Sequence, residues 1–249
     1  MITLISYASD NMTISQERLV CSAYKYGVDN VISFGRKDID ENFYLTNKEI
    51  LDAERGAGYW LWKPYIINKT INKLNEGDIL IYSDAGIEIV EPIQYLINCM
   101  DENIWFFCNG WPHVQWSKAD MNKAILGGIE EPMPVRNDCR YSQVQASWIM
   151  FRVNDEIKRF VAEWLAWCQI PGFIDDSPSK ETNHYTFTDN RHDQSVLTAL
   201  QIKYGYKKHW WASTIWIPEK FRYPNDNYPA MFLHHRMRNE EYKTKNVYA

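Results

Sequence analysis

A chain of 249 residues with a formal net charge of −5 has no global basic field, which excludes a nucleic-acid binder held by overall electrostatics. With 45% hydrophobic and 24% charged residues it reads as one globular domain of α/β size spanning 1–249, with 205–249 as a C-terminal extension. No run approaches the roughly 18 apolar residues of a membrane span, so no transmembrane segment is expected.

The first residues, Met1-Ile2-Thr3-Leu4-Ile5-Ser6-Tyr7, read as a strand and not as a signal peptide, because no basic segment precedes a long apolar core. Ser15 to Tyr26 predicts a helix with Ser15 as N-cap and Gly27 as stop signal. Val31 to Phe34 is the second strand, and strand–helix–strand opens a parallel-sheet unit. Arg36 to Ala53 is polar and weakly periodic, a loop with a short helix. Trp60 and Trp62 share one face of an extended piece, and Pro64 suits the first turn of a helix over 65–74. Ile79 to Tyr82 is an apolar run bounded by Gly77-Asp78 and Asp84-Ala85-Gly86, the pattern of a core strand whose end lies where ligands bind in open α/β sheets. There Asp84 either caps the turn or holds a cation or a sugar hydroxyl.

Ile93 to Met100 is a helix and Trp105 to Cys108 a strand. Asn109 to Arg140, with three prolines and Gly127-Gly128, is a long excursion that covers a cleft. Gln145 to Val153 is a strand, and Asp155 to Cys168 is a helix with Ile157, Phe160, Val161, Trp164, Leu165 and Cys168 on one face. Pro171 to Asn190 is a loop, His192 to Tyr204 a helix, and Trp210 to Ile217 a late strand. The five cysteines are odd in number and show no metal-ligand spacing, so they read as reduced thiols in a reducing compartment. The 11 Trp and 16 Tyr exceed what is usual. They pack a core, and aromatic faces also stack on the C–H face of a sugar ring.

Three segments occur in order: Gly58-Tyr59-Trp60-Leu61-Trp62-Lys63-Pro64, then Gly77 to Gly86, then Arg191-His192-Asp193-Gln194-Ser195. Together they resemble glycosyltransferases of the GT-A fold, close to small bacterial or viral enzymes that build surface glycans, over about 1–204 of this chain. The resemblance implies a GT-A-like α/β fold with a mixed, mainly parallel central sheet flanked by helices. It implies transfer of a hexose or pentose from a nucleotide-sugar donor, most often a UDP-sugar, to a glycan or glycoconjugate acceptor in the cytoplasm, of a host cell if the source is viral.

In such enzymes an Asp-x-Asp after a core strand holds Mn²⁺ or Mg²⁺ on the donor diphosphate, where oxygen ligands suit a hard cation. Asp84 stands at the first position, but Gly86 stands at the second. Asp84 then holds the metal with another residue, or Glu88 substitutes, or side-chain cations replace the metal. His234 or His235 completes a metal site in the first case, whereas Arg236 and Arg238 pair with the diphosphate in the last. Tyr7, Ala8 and Ser9 border the nucleotide base. Arg55, Lys63, Ala85 and Gly86 border the phosphates, Arg as a bidentate and Lys as a point-charge ligand. Asp193 acts as base on the acceptor or binds the sugar, or else caps its helix, while Gln194 and His192 are further sugar-side residues. Trp111 and Trp116 form an acceptor wall. Two other readings share parts of this pattern. A nucleotidyltransferase needs a glycine-rich basic loop after strand one, and Ala8-Ser9-Asp10-Asn11-Met12 has neither feature. A glycan-binding module uses the aromatics alone and tolerates loss of Asp84 and Asp193.

Overall fold

The structure, a computed structural model, describes residues 1–127, 142–213 and 228–244. It begins with a parallel unit of β1 (Ile2–Tyr7), α1 (Thr13–Lys25) and β2 (Asn30–Phe34). Ser15 is not the cap of α1. It lies buried inside the helix, donating to the Met237 carbonyl at 2.5 Å, so the helix starts earlier than its sequence suggests. The polar stretch after β2 forms two short helices, α2 (Glu41–Thr46) and α3 (Lys48–Leu51), followed by a turn, α4 (Gly56–Tyr59), and the buried helix α5 (Trp62–Ile71).

Next come β3 (Ile79–Ser83), β4 (Ile87–Ile89), α6 (Gln94–Cys99), β5 (Ile104–Pro112) and α7 (Ala119–Leu126). The long excursion is therefore partly regular: its first residues continue β5 and 119–126 are helical, while 128–140 lie outside the described residues. β6 (Ser142–Arg152), α8 (Asp155–Cys168), α9 (Asp193–Tyr204), β7 (Lys208–Trp210), β8 (Phe232–His234) and α10 (Asn239–Thr244) complete the chain. The late strand is displaced: it runs over Lys208–Trp210, so only Trp210 of the expected 210–217 belongs to it; Ser213 makes an isolated bridge to Phe232, and 214–217 lie outside the described residues. Asn154 caps α8 by accepting from the Ile157 amide at 2.8 Å, an interaction worth about 1 kcal/mol.

Six strands form one sheet in the order β2-β1-β3-β6-β5-β7, and only β6 runs against its neighbours. β4 and β8 make a small antiparallel pair beside it. Successive strand residues point to opposite faces, so β3 and β6 feed two cores. Leu80, Tyr82, Ile149 and Phe151 pack with α5, α8 and α9 on one face. Ile79, Ile81, Trp148 and Met150 pack with α1, β4 and β8 on the other. Burial on both faces explains why these strands read as continuous apolar runs without alternation.

Cys21, Cys99 and Cys168 are free thiols, but Cys108 is disulfide-bonded. The reading of all five as reduced thiols is corrected there, and with it goes the argument for a reducing compartment. No helix among the described residues is long and apolar enough to cross a membrane.

Candidate active site

β1 lies between its parallel neighbours β2 and β3, so the chain leaves β1 toward β2 on one side and later returns to add β3 on the other. The crevice outside the carboxyl ends of such strands is where open α/β sheets bind ligands. A cavity of about 820 Å³ opens there, with Tyr7 and Ser9 from the end of β1 and Asp84, Ala85 and Gly86 from the end of β3 in its wall.

A left-handed turn forms one side. Gly56, Ala57, Gly58, Tyr59 and Trp60 all take positive φ, at 62°, 52°, 104°, 49° and 61°. Gly58 is required, since a Cβ would lie 2.8 Å from the Leu51 Cα. Ala57, Tyr59 and Trp60 have no such freedom, and each L-residue in this region costs about 1–2 kcal/mol. The turn brings Trp60, Trp62 and Lys63 to the cavity. The two tryptophans do not share an extended piece as their spacing suggests, because Trp60 lies in the turn and Trp62 starts α5. The Trp62 ring stacks on Tyr7 with centroids 4.0 Å apart, and its indole N–H donates to the Gly56 carbonyl at 2.9 Å.

Lys63 points under the sheet end and gathers two carboxylates. Its Nζ lies 3.1 Å from Asp193 Oδ2 and 3.5 Å from Asp84 Oδ1, and donates to the Ala146 carbonyl at 3.1 Å. The Lys63 and Asp193 side chains are 4% and 5% exposed, against 34% for Asp84. Burial pushes the Asp193 carboxyl up to about 6, against the pull of Lys63. Burial alone would lower the Lys63 ammonium, but Asp193 and Asp84 outweigh it and hold it above its ordinary value. The Lys63–Asp193 contact is poorly angled for a hydrogen bond, so Asp193 Oδ2 has no such partner among the described residues. Tyr82, buried in β3, donates to Asp84 Oδ1 at 2.5 Å. α9 begins at Asp193, so His192 holds the cap position and the capping reading of Asp193 is replaced by this ion pair. The Trp164 indole N–H fixes the Asp193 carbonyl at 3.1 Å.

No protein-family model matches the chain, and no curated protein matches it in sequence. Mouse xyloside xylosyltransferase 1 aligns over 94% of this chain and 97% of its own, with a TM-score of 0.52 and 10% identity. The fold is GT-A-like. At that identity the likeness is one of fold. A glycosyltransferase involved in glycosylation of the major capsid of PBCV-1 aligns over 96% of each chain at a TM-score of 0.48 and 12% identity. The WbbM bifunctional glycosyltransferase matches at a TM-score of 0.48 and 11% identity, over 80% of this chain, which spans 37% of WbbM's length.

The divalent cation that a GT-A-like fold implies finds a poor donor set. A Cβ at position 86 would lie 2.8 Å from the Arg236 Cα, so no carboxylate side chain fits at the second acidic position. Glu88 does not replace it, since it is paired with Arg18. His234 reaches the cavity, but its Nε2 accepts from Arg236 Nε at 3.1 Å, and burial followed by the Arg236 charge pushes it down to about 4. His235 turns away, its Nδ1 accepting from the Met237 amide at 3.1 Å. No group of three acidic, histidine or cysteine side chains suited to a metal occurs among the described residues.

Of the remaining candidates, Gln194 and His192 line the cavity. The Gln194 amide is engaged with β6, donating to Gln143 Oε1 at 2.7 Å and accepting from the Ala146 amide at 3.2 Å. His192 takes φ +54°, lies between Tyr59 and Trp60, and contacts Asp176 Oδ1 at 3.1 Å. Ala8 is buried, its amide bonded to the Phe34 carbonyl. Arg55 is outside the cavity wall, forked between Asp176 at 2.8 Å and Asp189 at 2.6 Å. Trp111 and Trp116 pack against each other and also lie outside that wall, although Trp116 carries the Arg191 guanidinium 4.2 Å above its ring. Sequence reasoning passed over Tyr82, Arg191 and Ser147. Ser147 lines the cavity with a buried hydroxyl that lacks a hydrogen-bond partner among the described residues. Only Arg191 carried a signal, as the first residue of the Arg191-His192-Asp193 segment.

Proposed function

We propose that this chain is a glycosyltransferase that moves a sugar from a UDP-sugar to a glycan acceptor. The observation that supports this reading most is a buried carboxylate, Asp193, held beside Lys63 in the wall of a ligand-sized cavity at the β1/β3 crevice. Sugar transfer breaks the bond from the anomeric carbon to the diphosphate oxygen. The acceptor oxygen forms the new bond, and its proton leaves to a base. Positive charge develops on the sugar on the way, and a nearby carboxylate favours it. Asp193 is assigned that role or the proton acceptance, since a carboxyl near 6 is ionised at neutral pH and still basic enough to take a proton. Lys63 keeps it ionised, and Asp84 binds a sugar hydroxyl from the more open side. Tyr7 and Ser9 border the nucleoside.

The test is a thermal-shift panel of UDP, GDP, CMP and dTDP, followed by measurement of UDP release from UDP-sugars. A ligand that binds only the folded state stabilises it by about 2.7 kcal/mol at a hundredfold excess over Kd. A selective rise in Tm with UDP, and UDP release lost in Asp193→Asn, is expected. No shift with any nucleotide would sink the transferase reading and leave the glycan-binding module.

A further inference from the structure

We infer that the donor diphosphate is held by an arginine clamp, Arg236 with Arg191 and Arg238, in the place where this fold otherwise uses a divalent cation. The inference rests on the transferase reading above and names how its site recognises phosphate.

The central observation is what fills the space beside Gly86. A Cβ there would lie 2.8 Å from Arg236 Cα, 3.2 Å from its amide nitrogen and 3.6 Å from its Cγ. The Arg236 amide donates to the Gly86 carbonyl at 3.0 Å, so the two backbones touch. Pairing of β4 with β8, with Ile87 opposite His234, sets this approach. The room for a second carboxylate is occupied by the Arg236 backbone, with the first carbons of its side chain in contact. Arg236 also takes φ +54°, a conformation disfavoured for a side-chain-bearing residue. Strain of this kind persists where surrounding structure imposes it, and it clusters at ligand sites.

Charge accounting points the same way. Lys63 and Arg55, the cations first expected to meet the phosphates, are each neutralised by two carboxylates. The three arginines in the cavity wall are not. Among the described residues no carboxylate pairs with the guanidinium of Arg191, Arg236 or Arg238. Arg191 lies over Trp116, and the Arg236 side chain donates from Nε to the neutral His234 ring. Burial lowers the Arg191 guanidinium below its ordinary value; the Asp189 carboxylate opposes this, and the Arg55 and Arg236 charges add to it. An anion between Arg191 and Arg236 relieves this repulsion. Guanidinium groups suit the task because their fork geometry binds phosphate oxygens in pairs. A diphosphate leaving group then meets positive charge without a metal ion.

The experiment measures UDP affinity by calorimetry with the full chain, in EDTA and again in Mn²⁺, for wild type, Arg236→Gln and Arg191→Gln. The unliganded Tm of each variant is recorded first. Arg191 lies on a different segment from Arg236, so one variant reports if the other fails to fold. The expected result is wild-type affinity in EDTA within about twofold of that in Mn²⁺, and a loss of about tenfold or more in each variant in both media. UDP binding that requires Mn²⁺ overturns the clamp and leaves the transferase reading intact. Metal-independent binding that neither variant weakens also overturns the clamp alone. Absence of UDP binding in every condition overturns both.

Discussion

Lys63 Nζ stands 3.1 Å from Asp193 Oδ2, with both side chains almost wholly buried. The pair joins the first turn of α5 to the first residue of α9, two helices on the same face of the sheet. Removing one partner of a buried pair leaves the other charge uncompensated, at a cost of about 3–5 kcal/mol. Lys63→Met is expected to lose that much in denaturant unfolding. The double variant Lys63→Met/Asp193→Leu is expected to recover most of it, because neither charge is then stranded. A single variant within about 1 kcal/mol of wild type contradicts a compensating role for the pair.

The same burial bears on the pH response of the proposed transfer. Burial pushes the Asp193 carboxyl up to about 6, and in the proposed reaction its ionised form is the active one. Transfer is therefore expected to fall as pH drops through about 6, by about tenfold for each further unit. Asp193→Asn is expected to cut transfer at pH 7.5 by about 10²-fold or more and to remove the acid limb from the residual rate. A limb that persists unchanged in this variant assigns the titration to another group.

In the turn before α5, Ala57 sits at φ 52° and ψ 46°, a geometry glycine adopts without penalty. Ala57→Gly removes about 1–2 kcal/mol of strain and adds about 0.4–1 kcal/mol of unfolded-chain entropy. A net gain of roughly 1 kcal/mol, seen as a higher Tm, is expected. A lower Tm would mean that the Ala57 methyl makes packing contacts worth more than the strain.

Legibility in the sequence followed how local each feature is. β3 and its terminal Asp84 were readable because a strand buried on both faces is a continuous apolar run bounded by turn residues. Asp193 was readable from its short segment. Its partnership with Lys63 was not, because the contact joins distant helices through the packing of one core. Arg55 misled for the same reason: its partners Asp176 and Asp189 lie in a loop with no periodic signal. The left-handed turn was hidden because Ala57 and Tyr59 are not residues that announce positive φ. In the sequence Gly86 stands where a second carboxylate is expected. That it is the point where the Arg236 backbone crosses depends on the β4–β8 pairing, which the polar tail does not betray.

Buried histidines are expected to weaken the fold in acid. Burial pushes His113 down to about 3, and His192 and His234 to about 4, from an ordinary 6.5. A base with a depressed folded pKa contributes stability that is present above its unfolded pKa and lost as pH falls toward the folded value. Stability is therefore expected to decline from about pH 6.5 toward pH 4. Asp193 has the opposite sign, since its raised pKa makes the folded state gain protons as pH falls from 6 toward 3.8, so it offsets one histidine. His113 isolates the effect, because it lies away from the cavity, bonded to Asn122 at 2.9 Å. His113→Gln keeps an amide for that contact and removes the titration. Its unfolding free energy is expected to fall less steeply below pH 6.5, by about 1.4 kcal/mol for each pH unit. Equal slopes in wild type and variant would show that His113 is not held neutral by its burial.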